Sequence, residues 1–125
     1  MLLSLSKHSK ESLQSQILRQ IRSQILTGSL QPHENLPSIR VLSRQNDISV
    51  ITVQRVYENL IKEGLILSRK GSGFFICQLT EQEKEEIKVK LLEDTISLPL
   101  RMALDEGLKP GQIMSSVKKC LGQIR

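Results

Sequence analysis

Residues 49–55, SVITVQR, combine hydrogen-bonding side chains with two β-branched apolar residues at the start of a predicted helix. Ser49, Gln54 and Arg55 can form hydrogen bonds, and Arg55 also carries a positive charge. Val50 and Ile51 offer only methyl groups. This mixture suits recognition of a surface that presents both polar edges and methyl groups, and it contains no nucleophile–base pair that would make or break a bond.

Groups that could catalyse a reaction or hold a metal are poorly placed elsewhere in the chain. His8 is expected in a loose N-terminal segment and His33 in a turn, without a Cys, Ser or carboxylate pair at a useful spacing. Cys77 and Cys120 match no metal or redox spacing, so we expect two buried or half-buried reduced thiols. The acids at 81–86 fit a solvated first helical turn, where negative charge is favoured. We therefore expect no enzyme activity, no cofactor and no metal.

Length and charge narrow the class further. The 125 residues suit one compact domain with a small appendage, and the scarcity of aromatics (two Phe, one Tyr, no Trp) favours helix-on-helix packing. Residues 1–79 hold ten Lys/Arg and five Asp/Glu, whereas residues 80–125 hold eight of each, so the whole net charge of +5 lies in the first segment. This distribution favours a polyanionic partner. No apolar run approaches the roughly 18 residues of a membrane span. The opening MLLSLSK is too short for a signal peptide, so a cytoplasmic location without membrane contact is predicted.

Two helical patterns begin the first segment. Apolar residues recur at every third or fourth position from Glu11 to Thr27, and Gly28 follows as a helix-ending residue. After a turn, Ser38 can cap a short second helix that extends to about Gln45.

A third helix and a hairpin follow. Ser49 is a good cap for the helix, and Gly64 ends it. Residues 65–69 and 73–78 are two short strand-like runs, and glycines on both sides of the tip at 70–72 supply the positive φ of a tight hairpin. The core-facing stripe of the third helix consists of Val53, Val56, Tyr57, Leu60 and Ile61.

This order of elements predicts a winged helix-turn-helix, with three helices and a β-hairpin wing, in a mainly α protein. In such a motif the first residues of the second helix contact base edges in the major groove of DNA. Val50 and Ile51 lie at this leading end, off the core-facing stripe, where their methyl groups could pack on thymine methyls. The alternative is that they pack against the turn or a partner chain. The residues that could hydrogen-bond bases or phosphates at this end are Ser49, Gln54 and Arg55.

The stretch LPSIRVLSRQNDISVITVQRVYENLIKEGLI, followed by RKGSGFFI, resembles the DNA-binding domain of GntR-type bacterial transcription regulators. The resemblance covers about residues 12–77 and includes a Leu-Pro-Ser-x-Arg element, a Thr-Val pair and a Gly-x-Gly-x-Phe wing. The Tyr57-Glu58 pair and the short C-terminal segment are most similar to the YtrA-like subfamily, in which a small helical tail replaces a large effector domain. The matching positions are Leu36, Pro37, Ser38, Arg40, Thr52, Val53, Gly64, Gly71, Gly73 and Phe75.

The resemblance implies roles for particular residues. Ser38, Arg40 and Thr52 would contact phosphates or adjacent base edges, and Lys70 and Gly71 would carry the wing to the minor groove. A phosphate contact at Ser38 also has a physical basis, because a helix N-terminus favours an anion such as phosphate. The full set of predicted DNA-binding residues is Ser38, Arg40, Ser49, Val50, Ile51, Thr52, Gln54, Arg55, Lys70 and Gly71.

Simpler interpretations remain for two of these sites. Arg40 could form a surface ion pair with Glu34 or Glu58, although such pairs usually contribute little. Gly71 and Gly73 could serve only as turn residues. A phosphate-loop interpretation of the same tip fails, because no Lys-Ser/Thr follows and the tip opens no helix.

Three residues depart from the family pattern. His33 stands where Gly usually follows Pro, and Asp47 stands where the turn commonly has Gly, although Asp tolerates the left-handed conformation better than most residues. Val50 occupies a position where many members carry an Arg that reads guanine. We therefore expect a different operator preference, toward A/T-rich half-sites.

The C-terminal segment predicts a helical tail. Thr80 and Glu83 form a capping box at the start of a fourth helix. Pro99 is expected to kink or interrupt this helix, since proline lacks the backbone N–H. A further turn or two ends at Gly107, with Leu108 placed to close a Schellman-like cap.

Pro110 starts a last amphipathic helix. These helices carry more apolar surface than they can bury alone, so residues 80–125 are expected to form a dimerisation segment beside a DNA-binding domain at 1–79. The alternative is that the tail folds back on its own domain.

The sequence thus predicts a regulator, most readily a repressor, that binds an inverted-repeat operator in double-stranded DNA as a homodimer. By resemblance it would control a neighbouring transporter operon. The residues identify no small-molecule effector, and a small pocket between helices of the dimer remains open. The competing hypothesis is a winged-helix adaptor that binds protein or RNA without operator-specific DNA binding.

Overall fold

Three helices and a three-stranded sheet form the first part of the computed structural model, which describes residues 1–124. The chain divides into two compact units, Met1–Lys84 and the residues from Glu85 onward. The prediction of a mainly α chain with a winged helix-turn-helix is confirmed. The elements are α1 (Leu13–Leu26), β1 (Asn35–Leu36), α2 (Ile39–Asn46), α3 (Val50–Lys62), β2 (Ile66–Arg69), β3 (Gly73–Ile76), α4 (Glu81–Asp105) and α5 (Pro110–Gln123).

Serine caps fix the starts of α2 and α3, as predicted. The Oγ atom of Ser38 accepts a hydrogen bond from the backbone N–H of Val41 at 3.2 Å, and that of Ser49 accepts one from Thr52 at 3.1 Å. Asp47 ends α2 in the left-handed conformation, with φ of 53°. An acidic residue therefore occupies the conformation that the turn requires.

The first helix supplies much of the core. It begins after its cap Ser12, two residues later than the pattern predicted, because the cap itself has extended rather than helical dihedrals. Ile17, Ile21 and Ile25 are buried at successive turns. The four-residue spacing places these side chains on one face.

The third helix packs its stripe inward with one exception. Val53, Val56, Tyr57 and Leu60 are at most 1% exposed, but Ile61 is 40% exposed, so its predicted burial is wrong. At 100° per residue, Ile61 lies about 80° around the helix from Val53, at the edge of the buried stripe.

The sheet contains one strand more than the predicted hairpin. The strands β2 and β3 pair antiparallel through a tip at 70–72, with Gly71 and Gly73 at positive φ as expected. The two-residue strand β1 pairs with the other edge of β3, giving the order β1-β3-β2. Because β1 is so short, it leaves no alternating pattern in the sequence.

The expectation of a loose N-terminal segment is wrong for residues 2–6, which form an arm along α1. The side-chain amide of Gln20 accepts a hydrogen bond from the backbone N–H of Ser4 and donates one to the Ser4 carbonyl, at 2.7 Å each. The side chain of Gln16 binds the backbone of Ser6 in the same way, at 2.8 Å each. Two residues of extended chain span about 6.6 Å and four helical residues about 6.0 Å, so alternate arm residues stay level with successive turns of α1.

The C-terminal unit consists of α4, after its first turn, and α5. The predicted capping box is present: Thr80 N–H donates to Glu83 Oε1 at 3.0 Å, and Glu83 N–H donates to Thr80 Oγ1 at 3.1 Å. Pro99 was expected to kink or interrupt the helix. It does not interrupt α4, which continues to Asp105. Proline removes a single backbone hydrogen bond, and the turns on either side keep theirs.

The end of α4 follows the predicted Schellman geometry. Gly107 has φ of 96°, and the N–H of Leu108 donates to the Ala103 carbonyl at 3.0 Å. Pro110 is the first residue of α5, as expected. No residue of α4 or α5 in the described chain is buried, and no described helix is long and apolar enough to cross a bilayer.

Candidate nucleic-acid interface

The leading end of α3 presents its apolar residues outward. Val50 is 45% exposed and Ile51 is 60% exposed, although both are β-branched residues that a core would accept. Each side chain therefore keeps a large part of its surface open to solvent. Beside them, Ser49 Oγ and Thr52 Oγ1 lie 2.7 Å apart, and Thr52 is half-buried. Methyl groups and hydroxyls therefore share one helix end.

Gln54 and Arg55 extend this end on the solvent side, and both are exposed. The amide of Gln54 donates to Glu58 Oε1 at 3.3 Å, a surface contact that another acceptor can replace. Arg55 forms no ion pair with any residue of the described chain. Its guanidinium is therefore available for a phosphate or a base edge.

The start of α2 offers a second contact point. Ser38 is exposed at the helix N-terminus, where uncompensated backbone N–H groups favour an anion. Arg40 is exposed in the first turn of α2, and it forms no ion pair with Glu34 or Glu58 within residues 1–124. The interpretation of Arg40 as a partner of these acids is thus wrong for this structure.

The wing presents a basic tip. Lys70 and Gly71 are exposed in the turn, which Ser72 closes by donating its N–H to the Arg69 carbonyl at 2.9 Å. The Arg69 guanidinium lies 5.2 Å from the centroid of the Phe75 ring on the neighbouring strand. Arg69 is not among the predicted contacts, although the alternation of β2 places it on the same face as Leu67, which pairs with Phe75.

Tyr57 connects these three contact points. Its hydroxyl donates to the Pro37 carbonyl at 2.6 Å, immediately before the cap of α2. Its ring meets Phe74 of the wing edge-on, with centroids 4.8 Å apart and planes at 71°. Burial raises the pKa of the Tyr57 phenol well above its ordinary value. The sequence pattern identifies Tyr57 as part of the core stripe and of the Tyr57-Glu58 pair, but it gives no sign of these contacts with α2 and the wing.

Ion pairing leaves the predicted cations free. In the first unit Arg19 pairs with Glu11, and Arg22 pairs with Glu63 in a half-buried bidentate bridge at 2.9 and 2.6 Å. Lys7 and Lys84 also have acidic partners. The remaining cations of this unit form no ion pair within the described chain: Lys10, Arg40, Arg44, Arg55, Lys62, Arg69 and Lys70.

The residues considered for other chemistry do not come together. Among residues 1–124, no group of three or more His, Cys, Asp or Glu side chains is placed to hold a metal ion. Cys77 is half-buried, and burial raises the pKa of its thiol. Cys120 is exposed, so the expectation of burial is wrong for this residue in the single chain.

Comparison with known proteins gives a consistent result. The family described as "Bacterial regulatory proteins, gntR family" matches residues 13–76. The chain is 32% identical over 109 residues to the HTH-type transcriptional repressor NagR of Bacillus subtilis, covering 87% of this chain and 42% of NagR. It is 27% identical over 110 residues to the uncharacterized HTH-type transcriptional regulator YhcF of the same species, covering 88% and 90%. The chain thus spans less than half of NagR and most of YhcF.

Two solved structures are informative. YtrA from Sulfolobus acidocaldarius, a GntR-family transcription factor, superposes with a TM-score of 0.59 at 21% identity over 98% of each chain. This likeness concerns the fold. The AraR DNA-binding domain in complex with operator ORX1 superposes with a TM-score of 0.51 at 27% identity, covering 60% of this chain and 93% of that one.

Proposed function

Because the chain belongs to the GntR family of bacterial regulatory proteins, with the winged helix-turn-helix of a transcription regulator, we propose that it represses transcription by binding an inverted-repeat operator as a homodimer. The observation that carries this proposal is the leading end of α3, where Val50 and Ile51 are exposed beside Ser49. Repression follows NagR, a similar protein that is named a repressor. Operator DNA of a bacterium lies in the cytoplasm, which is where the proposal places the chain.

The proposed contacts divide into base reading and phosphate binding. Val50 and Ile51 read thymine methyl groups in the major groove, where Gln54 also reaches base edges. Ser38 and Arg40 hold a phosphate at the start of α2. The other proposed contacts are Ser49, Thr52 and Arg55 at the start of α3, and Lys70 and Gly71 in the wing.

We assign the homodimer contact to the tail and DNA binding to residues 1–79. Within the C-terminal unit, Leu92, Ile96 and neighbouring side chains line an apolar groove of about 450 Å³ between α4 and α5. Forty residues with no buried side chain cannot hold two helices together without further burial of apolar surface. A second copy supplies that surface, and twofold symmetry then places two copies of α3 about one turn of B-DNA apart, roughly 34 Å.

Salt dependence tests the proposal against the adaptor hypothesis. Binding of the full chain to duplex DNA is measured by fluorescence anisotropy from 50 to 200 mM salt. The proposal predicts a logarithmic slope of about −0.9 for every phosphate contacted, in sequence-specific complexes of two chains per duplex. A protein adaptor would bind no duplex in this range, and an RNA-binding module would prefer single-stranded or structured RNA over duplex DNA.

A variant pair localises the contact. Arg55→Gln removes a free cation from the proposed surface, whereas Lys62→Gln removes one from the far end of the same helix. The proposal predicts a smaller salt slope for Arg55→Gln and an unchanged slope for Lys62→Gln. Equal slopes in all three proteins would contradict it.

A further inference from the structure

The arm at residues 2–6 ends beside the turn of the helix-turn-helix. It runs antiparallel to α1, so that Leu2 lies at Gln24 (2.8 Å) and Ser6 lies at Gln16, near the start of the helix. Five hydrogen bonds between the arm and Gln16, Gln20 and Gln24 hold the arm to α1, three donated by the glutamines and two accepted by them. The arm therefore holds the next residue, Lys7, at a defined position.

That position is the turn between α2 and α3. Lys7 Nζ lies 3.5 Å from Asp47 Oδ2, and the two side chains are 61% and 98% exposed. Asp47 precedes the cap Ser49 by two residues, so their Cα atoms are at most about 7.6 Å apart. This upper limit is smaller than the roughly 12 Å width of the major groove, so a phosphate strand that flanks a groove-bound α3 would pass near the turn.

The ion pair does not explain why the arm is docked, because exposed pairs contribute little to folding. The glutamine hydrogen bonds do that. Asp47 alone would repel a phosphate at this position, and Lys7 cancels its charge. The acid among the residues after the arm, Glu11, is neutralised by Arg19 through two hydrogen bonds at 3.0 and 2.9 Å. Residues 7–11 therefore present the positive charges of Lys7 and Lys10.

We infer that the N-terminal arm is a phosphate clamp, in which Lys7, held by the glutamine row of α1, contacts the DNA backbone beside the α2–α3 turn. This inference rests on the proposed DNA-binding function and adds a contact outside the winged helix-turn-helix. The contact is independent of base sequence, so it raises affinity for every duplex alike.

The first test replaces the charge. Lys7→Gln is compared with the wild type and with Lys62→Gln, a matched loss of one cation remote from the turn. Removal of one phosphate contact reduces the salt slope by about 0.9, so the affinity deficit of Lys7→Gln is about 3.5-fold larger at 50 mM than at 200 mM salt for each such contact. A slope for Lys7→Gln equal to that of the wild type overturns the clamp. A wild type without any salt-dependent duplex binding overturns the proposed function itself.

The second test separates the arm from the charge. Gln20→Ala removes both hydrogen bonds to Ser4 without a cost in helix propensity, and Gln14→Ala is its control on the same helix. The clamp predicts that Gln20→Ala weakens DNA binding as Lys7→Gln does, and that Gln14→Ala has no effect. The double variant Lys7→Gln/Gln20→Ala should bind DNA no more weakly than Lys7→Gln alone. Unchanged binding by folded Gln20→Ala would overturn the role of the arm.

The third test asks whether Lys7 only masks Asp47. Asp47→Asn removes the acid and keeps a residue that tolerates the left-handed conformation. A direct phosphate contact predicts that Lys7→Gln still reduces the slope in the Asp47→Asn background. If Asp47→Asn abolishes the effect of Lys7→Gln, Lys7 acts by masking alone and the clamp is wrong.

Discussion

Replacing Tyr57 by Phe removes one oxygen that connects α3 to α2. The ring and its edge-on contact with Phe74 remain, while the 2.6 Å hydrogen bond to the Pro37 carbonyl disappears. A hydrogen bond of this kind contributes about 0.5–1.5 kcal/mol, and this part-buried bond should lie near the middle of that range. For a unit of this size, about 1 kcal/mol lowers the unfolding midpoint by about 4–8 °C.

The assay is thermal unfolding of the full chain followed by circular dichroism, together with duplex binding. Because Pro37 precedes the cap Ser38, Tyr57→Phe should weaken DNA binding as well as folding. Phe74→Leu is the comparison, since it removes the ring contact and keeps the hydroxyl hydrogen bond. An unfolding midpoint of Tyr57→Phe equal to that of the wild type would refute the assignment of Tyr57 as the connecting residue.

The same hydroxyl gives a pH dependence with a definite sign. Burial raises the pKa of Tyr57, so the folded unit keeps the phenol proton at pH values where the unfolded chain releases it. Stability should therefore fall as pH rises above about 10, the ordinary pKa of tyrosine, and Tyr57→Phe should lack this loss. Tyr57 is the only tyrosine and the chain has no tryptophan, so tyrosinate absorbance follows it directly. Titration of the folded chain at the ordinary value would contradict the burial argument.

Three further perturbations test other parts of the structure. Arg22→Ala breaks the half-buried bridge to Glu63 and should cost about 1–2 kcal/mol by denaturant titration, between the values for exposed and buried pairs; an unchanged midpoint would show that the bridge is not stabilising. Hydrogen bonds from Thr80 lower the pKa of Glu83, so helix stability should be lost as pH falls below about 4.3, and Glu83→Gln should show a weaker acid dependence by circular dichroism; identical acid profiles would argue against the capping box. Val117→Asp places a charge in the apolar groove and should shift sedimentation from dimer to monomer; a stable dimer would place the contact elsewhere.

Features set by neighbouring residues could be predicted from the sequence. Ser38 and Ser49 cap their helices through hydrogen bonds to N–H groups three residues on, which requires no knowledge of the rest of the fold. Asp47 and Gly107 adopt positive φ for equally local reasons. The exposure of Val50 followed from the helical period alone.

Contacts between distant segments could not be predicted in this way. The arm bonds Ser4 to Gln20 through side-chain amides, which leave no hydrophobic period to detect. The hydrogen bond of Tyr57 to Pro37 depends on how α2 crosses α3. At Pro99 the local effect of proline is weaker than an interruption, because the neighbouring turns sustain the helix across one missing hydrogen bond.

Selection of bound duplexes from a random DNA library, with the wild type and with Val50→Arg, tests most directly whether the start of α3 reads the operator. The wild type should enrich an inverted repeat with A/T-rich half-sites, and Val50→Arg should gain guanine only at the positions facing the start of α3, since Arg pairs with the O6 and N7 atoms of guanine. Enrichment of the same sequence by both proteins, or of none by the wild type, would contradict the account.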